Sequence, residues 1–139
     1  MVRFTRTTLQ GKTTMYNQIF FTNVLRLLDE QSMTKHDLAE KAGMSISFLS
    51  DLTNGKGNPS LKIMSLIADA LNVPLPTLLE MTDLDQATLD LLAGGKAPQS
   101  LPDGFKRISA ILNDYQAYTV QQWDEANKKL LAKKNQKKS

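Results

Sequence analysis

The chain has 139 residues, of which 41% are hydrophobic and 22% are charged, and it contains no cysteine. This length allows one compact domain, or one small domain with an appendage, but not two large cores. The lack of cysteine excludes a disulfide framework and a thiolate metal site, and it fits a reducing compartment, so we expect a cytoplasmic protein. No apolar run approaches the roughly 20 residues of a membrane helix, and the polar N-terminus lacks the apolar block of a secretory signal.

The formal net charge of +3 is unevenly distributed along the chain. Residues 1–14 carry three basic side chains and residues 128–139 carry six lysines, which leaves a net charge of −6 between them. Basic ends on an acidic body suggest an anionic partner, although terminal lysine runs are often simply solvated. We interpret residues 1–16 as a basic N-terminal extension, with Met15 as an alternative start, and residues 135–139 as a basic tail. The extension is either a disordered leader or an arm for a DNA minor groove.

Residues 17–80 show the apolar spacing of short, successive helices. A fifth short helix is predicted at about Pro76, and residues 83–92 could add another turn or two. The four main stripes consist of Phe20, Val24, Leu27 and Leu28; Leu38, Ala39 and Ala42; Leu49 and Leu52; and Leu61, Met64, Ile67, Ala68 and Leu71.

Capping residues separate these helices. Thr34 and Ser45 are suited to N-capping, and Gly43 can adopt the left-handed conformation that ends a helix. Either Asn58 or Ser60, on the two sides of a proline, opens the fourth helix. The breaks in the sequence therefore agree with the periodicity.

Residues 35–54 match the physical requirements of a helix-turn-helix. Ala39 supplies the small residue where two steeply crossing helices touch, and Gly43 follows four residues later in the turn. An ordinary helical hairpin is the alternative interpretation. Apolar side chains fall where the two helices must bury them: Leu38, Met44, Leu49 and Leu52.

A second unit follows a linker at residues 93–101, which is rich in glycine and proline. The spacing and β-branched side chains of residues 105–112 predict a short strand, and Asn113 can cap a following helix. One strand and one helix cannot form a core, so we expect residues 102–134 to dock on the first domain or on a second copy of themselves.

The stretch "MTKHDLAEKAGMSISFLSDLTNGKGNPSLKIMSLIADALNVPLPTLL" resembles the lambda-repressor/Cro (XRE) family, over about residues 19–80. The stretch "LPDGFKRISAILNDYQAYTVQQWDEANKK" resembles the dimerisation tail of the KorA repressors of conjugative plasmids, over about residues 101–129. The combination resembles the TrbA repressors of plasmid transfer genes.

These resemblances imply a mainly α fold, in which a five-helix lambda-repressor-like DNA-binding domain at residues 17–92 precedes a small strand-helix dimerisation unit. They imply a homodimeric repressor whose partners are a double-stranded, palindromic DNA operator and a second copy of itself. The candidate dimerisation residues are Phe105, Ile108, Ala110, Leu112, Tyr118, Trp123 and Leu130.

In the XRE family the second helix of the motif enters the major groove. Its outward positions correspond here to Ser45, Ile46, Ser47, Ser50 and Asp51, which are the candidate base-reading residues. Serine hydroxyls can bond a base edge or a phosphate, isoleucine can pack on a thymine methyl, and aspartate can accept from a cytosine amino group. Ser45 could instead serve only as an N-cap and Asp51 only as a solvated charge.

Phe48 and Leu49 are interpreted as core. Phosphate contacts supply most of the affinity in such complexes, and the candidates are Lys35, Asn54, Lys56 and Asn58. Lys35 stands where XRE proteins usually carry glutamine, so the amide contact of that glutamine is not expected here.

An enzyme is not predicted. His36 is the only histidine, and the sequence has no glycine-rich phosphate loop and no carboxylate pair in an apolar setting. We predict no metal and no cofactor, because core packing explains the apolar stripe around Leu61. A protein-binding module on the same helical fold, such as an antitoxin or adaptor, is the alternative function.

Overall fold

The computed structural model describes residues 15–81 and 84–138, without the side chains of residues 137 and 138. Residues 1–14 of the predicted N-terminal extension, whether leader or arm, lie outside the described residues. The described part of the chain forms helices α1 (Met15–Glu30), α2 (Lys35–Ala42), α3 (Ile46–Thr53) and α4 (Leu61–Ala70), a 3₁₀ helix (Leu75–Leu79), and helices α5 (Gln86–Ala93) and α6 (Asp114–Lys138). It divides into two units, one ending at Ile108 and one beginning at Ser109. None of these helices is both long enough and apolar enough to cross a bilayer.

The core of the first unit is formed by α1 to α4 and the 3₁₀ helix. Helix α1 packs on α3 and on the 3₁₀ helix, and α2 packs on α3 and α4. The helical stripes predicted from the sequence supply most of this core, which consists of Phe20, Phe21, Val24, Leu27, Leu28, Leu38, Ala39, Leu49, Leu52, Ile67, Ala68, Leu71 and Leu78.

A buried asparagine joins the first helix to the end of this core. The side-chain Nδ2 of Asn23 donates to the carbonyl oxygens of Leu78 at 2.9 Å and Glu80 at 3.0 Å. Arg26 donates to the Oδ1 of Asn23 at 3.2 Å, so both ends of the amide have partners. Because a buried amide without partners is costly, these bonds fix the position of the 3₁₀ helix against α1.

Of the two caps that the sequence allowed for the fourth helix, Ser60 is the one used, because its hydroxyl accepts from the backbone N–H of Ile63 at 3.1 Å. Two other details of the predicted helices differ in the structure. Leu61 is therefore the first residue of α4 and is 66% exposed, outside the core in which the sequence placed it. The fifth helix is a 3₁₀ turn that opens with a proline near its N-terminus.

Helix α5 ends in a turn that holds the start of the linker. Gly94 takes the left-handed conformation with φ of 72°, and the N–H of Gly95 donates to the carbonyl of Asp90 at 3.0 Å. The Asp90 carboxylate also accepts from the N–H of Ala97 at 2.8 Å. This N–H bond lowers the pKa of Asp90 below its ordinary value. The first part of the predicted linker is thus folded onto α5.

The second unit contains α6 and the residues just before it. Asn113 caps α6 as predicted, because its Oδ1 accepts from the N–H of Gln116 at 2.9 Å. The predicted strand at residues 105–112 is wrong for the described chain, in which this segment is neither helix nor strand. A strand needs a neighbouring strand to satisfy its backbone, and the described residues supply none. No side chain among residues 109–136 is buried.

Candidate nucleic-acid interface

The first helix of the motif begins at a capping box. The hydroxyl of Thr34 accepts from the N–H of Asp37 at 3.0 Å, and the Asp37 carboxylate accepts from the N–H of Thr34 at 3.0 Å. That second bond lowers the pKa of Asp37 below its ordinary value. Two otherwise free amides at the start of α2 are thereby satisfied, and the chain direction into α2 is fixed.

The turn between α2 and α3 has the predicted geometry. Gly43 takes φ of 70°, a left-handed conformation that favours glycine. The N–H of Met44 then donates to the carbonyl of Ala39 at 3.0 Å. Ser45 follows in an extended conformation and caps α3 by accepting from the N–H of Phe48 at 3.1 Å. The two helices of the motif are therefore joined by a short turn that is hydrogen-bonded on both sides.

Helix α3 presents most of the candidate base-reading residues away from the core. Leu49 and Leu52 anchor the helix, at 0% and 3% exposure. On the remaining surface, Ile46, Ser47 and Asp51 are exposed and Ser50 is half-buried. Helical geometry groups positions 46, 47, 50 and 51 on one side. The structure thus brings these four candidates together on one face of α3.

The fifth candidate, Ser45, lies at the end of α3 and serves as its N-cap. One acceptor site of its hydroxyl is occupied by the N–H of Phe48. A serine hydroxyl has two acceptor lone pairs and one donor hydrogen, so its donor is still available to an external group. The two interpretations of Ser45 are therefore compatible.

Phe48 is not a core residue, so its interpretation from the sequence is wrong. It is 40% exposed, whereas the adjacent Leu49 is fully buried. Adjacent residues of a helix point about 100° apart, so both are buried only where other elements pack on two sides of the helix. The main packing partners of α3 are α1 and α2. Phe48 adds apolar surface at the rim of the α3 face.

The loop after α3 holds three of the candidate phosphate ligands. The carbonyl of Asp51 accepts from the N–H of Asn54 at 3.2 Å and of Lys56 at 2.8 Å, which folds the loop onto the end of α3. Gly57 takes φ of 80°, a backbone conformation that residues other than glycine adopt only with strain. The side chains of Asn54, Lys56 and Asn58 are all exposed.

Lys35, the fourth candidate phosphate ligand, is the first residue of α2 and is half-buried. Neither Lys35 nor Lys56 forms an ion pair with any residue that the structure describes. Both ammonium groups are therefore available to an external anion, whereas a lysine already paired with a carboxylate would have to exchange partners.

One contact of this region has no signal in the sequence. The Nδ2 of Asn17, in the first turn of α1, donates to the Oδ1 of Asn58 at 2.6 Å. The same Nδ2 lies 3.5 Å from the carbonyl oxygen of Gly57. Asn17 is about forty positions from its partners and belongs to no periodic pattern, so only the folded chain shows that it touches the loop.

The candidate dimerisation residues are divided between the two units, and those on α6 do not all share one face. Phe105 is half-buried and Ala110 is exposed. Trp123 and Leu130, 64% and 47% exposed, are seven residues apart and share a face of α6. Tyr118 precedes Trp123 by five positions and so points about 140° away from it. The other exposed members are Ile108, Leu112 and Tyr118, at 65%, 38% and 63%.

Comparison with known proteins identifies the family of this chain. Residues 24–78 match the family model described as "Helix-turn-helix". The chain is 35% identical over 75 residues to the ImmF control region 10 kDa protein of Bacillus phage phi105, covering 52% of this chain and 82% of that protein. It is 30% identical over 95 residues to the HTH-type transcriptional regulator DdrOP3 of Deinococcus deserti, covering 61% of this chain and 74% of that protein.

The chain belongs to the HTH_3 helix-turn-helix family. It carries the DNA-binding domain of a transcriptional regulator, and the HTH_3 match spans the capped turn and the α3 face described above. The crystal structure of the restriction-modification controller protein C.AhdI from Aeromonas hydrophila is also similar, with a TM-score of 0.43 and 22% identity, covering 45% of this chain and 94% of that one.

Proposed function

We propose that this protein is a cytoplasmic transcriptional repressor that binds a palindromic DNA operator as a homodimer. The proposal goes beyond the family, because helix-turn-helix proteins include regulators with other modes of action. The observation that carries it is the α3 face, where Ile46, Ser47, Ser50 and Asp51 stand together opposite the buried anchors of the helix.

Sequence discrimination is assigned to that face. Serine hydroxyls donate to and accept from base edges, Ile46 is 47% exposed and can pack on a thymine methyl, and the Asp51 carboxylate can accept from a cytosine amino group. Ser45 adds a free donor at the end of the helix that lies nearest the groove in proteins of this class. These contacts distinguish base pairs but supply little of the affinity.

Affinity is assigned to the groups on either side of α3. Lys35 and Lys56 contribute charge, and Asn54 and Asn58 contribute neutral donors from exposed positions. Lysine contacts with phosphates release counterions, so each such contact makes binding more dependent on salt. The proposal therefore separates residues that read sequence from residues that bind any DNA.

Dimerisation is assigned to α6. A monomer covers one half-site, whereas two linked copies add the energies of two half-sites. Trp123 and Leu130 form an apolar face with no cover among the described residues, and a second copy of α6 would bury it symmetrically. Tyr118 lies off this face and contributes at most to its edge.

Transfer genes of a conjugative plasmid are the proposed target. This part rests on the resemblance of residues 101–129 to the KorA tail and of the whole arrangement to the TrbA repressors. Footprinting of the purified protein on the plasmid or chromosome that encodes it tests the assignment directly. Protection of promoters for genes unrelated to conjugation would exclude it.

Selection of binding sites from a random duplex library tests the core of the proposal. A repressor of the proposed kind enriches an inverted repeat, and gel retardation then shows a preference for that repeat over random duplex. A protein-binding module, which the exposed Phe48 favours, would enrich no sequence and retard all duplexes weakly.

A further inference from the structure

We propose that Asn17 is a positioning residue for DNA binding. Its side chain determines which hydrogen-bonding groups of the loop at residues 54–58 face outward, toward the DNA phosphates. The inference rests on the proposed function of that loop. Asn17 does not itself contact DNA in the proposed complex. It acts through Gly57 and Asn58, which its side-chain amide contacts from the first turn of α1.

The contact determines which end of the Asn58 side chain faces outward. The Nδ2 of Asn17 has two oxygen neighbours, the carbonyl of Gly57 at 3.5 Å and the Oδ1 of Asn58 at 2.6 Å. An NH₂ group next to two acceptors can only donate, so the oxygen end of the Asn58 amide is turned toward α1. The NH₂ end of Asn58 is then the end left for an external partner.

The same contact orients a backbone peptide. The Gly57 carbonyl and the N–H of Asn58 belong to one peptide unit, and the described chain contains no cis peptide bond. In a trans peptide the carbonyl and the N–H point in opposite directions. Since the carbonyl faces Asn17, the N–H of Asn58 faces away from it, and no described residue accepts from this N–H.

The loop therefore presents mainly hydrogen-bond donors to its surroundings. The Asn58 side-chain NH₂, the Asn58 backbone N–H and the Lys56 ammonium are all donors, and no carboxylate lies between Asn54 and Ser60. The partner that fits three donors is an anionic oxygen, and for a DNA-binding domain that is a phosphate. Gly57, at φ of 80°, permits this peptide orientation but does not enforce it.

Without Asn17, the peptide between Gly57 and Asn58 is free to rotate and present its carbonyl instead. A carbonyl facing a phosphate is repulsive, so part of the loop population becomes incompetent for binding. The apparent affinity for DNA then falls in proportion to the fraction of molecules whose loop is still competent to bind. The α3 face is untouched, so discrimination between sequences is retained.

The test uses the full chain and two probes, a random-sequence duplex and the inverted repeat selected as above. Asn17→Ala is expected to weaken binding to both probes by about threefold to tenfold, and Asn58→Ala to do the same. The double variant should lose clearly less than the product of the two single losses, because both single variants remove the bond between Asn17 and Asn58. Effects that multiply in the double variant would overturn the inference.

Asn17→Asp provides the sharper comparison. The aspartate is nearly isosteric but accepts only, so it repels the two oxygens and draws the NH₂ end of Asn58 inward. We expect it to bind both probes more weakly than Asn17→Ala does. Gln18→Glu adds the same charge one position along α1 and controls for simple repulsion of DNA. Equal losses for the two acidic variants would show that charge alone is responsible.

A spectroscopic readout separates positioning from a general structural role. In the wild-type protein, addition of random duplex should shift the side-chain NH₂ and backbone N–H resonances of Asn58. In Asn17→Ala these shifts should be reduced, while the amide of Ser47 still shifts with the inverted repeat. Wild-type shifts that persist in Asn17→Ala would sink the inference. A wild-type protein that binds neither probe would instead reject the proposed function.

Discussion

Leu49 in α3 and Leu130 in α6 are the same residue type in two helices of one chain, but Leu49 is fully buried and Leu130 is 47% exposed. Helix α3 has 8 residues and α6 has 25, so the shorter helix is the one with tertiary support. A short helix is unstable in water without packing, whereas a long helix rich in lysine and glutamine, such as α6, retains some stability alone. The comparison indicates that the first unit folds around its own core, whereas the apolar side chains of α6 are exposed, as the proposed pairing of two copies requires.

The largest expected effect comes from making the same substitution in both helices. Leu49→Ala should destabilise the first unit by about 2–5 kcal/mol, because it leaves a cavity in the core. Leu130→Ala should change that stability by less than about 0.5 kcal/mol. Urea denaturation followed by circular dichroism measures both. A loss of similar size for Leu130→Ala would mean that α6 is part of the folded core.

Removal of α6 tests the assigned role of the second region. A fragment ending at Gly95 retains every core residue, so it should stay folded but sediment as a monomer. Its operator affinity should fall by at least about 100-fold, because the two half-sites are no longer linked. A fragment that still sediments as a dimer at micromolar concentration would place the interface in the first unit.

Trp123 gives a second measurement of the same surface. It is the only tryptophan of the chain and is 64% exposed. If α6 pairs with its copy, the fluorescence emission of the full chain should shift to shorter wavelength as protein concentration rises. Trp123→Ala should weaken association without changing the melting temperature of the first unit. If the emission maximum stays constant over the concentration range in which sedimentation shows the protein associating, Trp123 lies outside the interface.

A smaller effect is expected on the α3 face. Ser47→Ala or Ser50→Ala should weaken binding to the selected operator by about 1–3 kcal/mol and leave random duplex nearly unaffected. Ser100→Ala, in the exposed linker, is the matched control. Lys56→Ala should instead weaken both duplexes and reduce the salt dependence of binding. Proportional losses on both duplexes for the serine variants would contradict the division between reading and affinity.

The smallest effect concerns the capping box of α2. The Thr34 N–H holds the pKa of Asp37 below its ordinary value, so the ionised carboxylate stabilises the folded state. This contribution is complete above the unfolded pKa and is lost as the pH falls through the folded pKa. Asp37→Asn should thus lower the melting temperature slightly at neutral pH, and the difference should shrink as the pH falls below the ordinary pKa of an aspartate and through the lowered pKa of Asp37. A difference that persists at acid pH would assign it to another cause.

Local features of the fold were predictable from sequence because their chemistry is local. Thr34, Gly43 and Ser45 act within three or four residues of themselves, and the structure confirms all three caps. Burial depends on what packs opposite a residue, which is why Phe48 and Leu61 were wrongly placed in the core. The strand at residues 105–112 failed for a related reason, since a strand is a property of two segments and the sequence shows only one.

The candidate site was predictable to a similar degree. The exposed side of α3 followed from helical periodicity once Leu49 and Leu52 were recognised as anchors. The contact between Asn17 and Asn58 joins positions forty-one residues apart and leaves no mark on composition or spacing. Sequence reasoning finds which groups face outward, but it does not find the contacts that orient them.

The bond between Asp90 and the N–H of Ala97 limits how far apart the two DNA-binding domains of the proposed dimer can lie. The backbone N–H groups of Gly94, Gly95 and Ala97 are bonded to α5, so residues 94–97 contribute no slack to the linker. An extended chain gains about 3.5 Å per residue, and four immobilised residues therefore remove about 14 Å of reach from each subunit. If the protein acts as the proposed dimer, it should tolerate a narrower range of operator spacings than the glycine-rich composition of the linker suggests, and Asp90→Ala should widen that range.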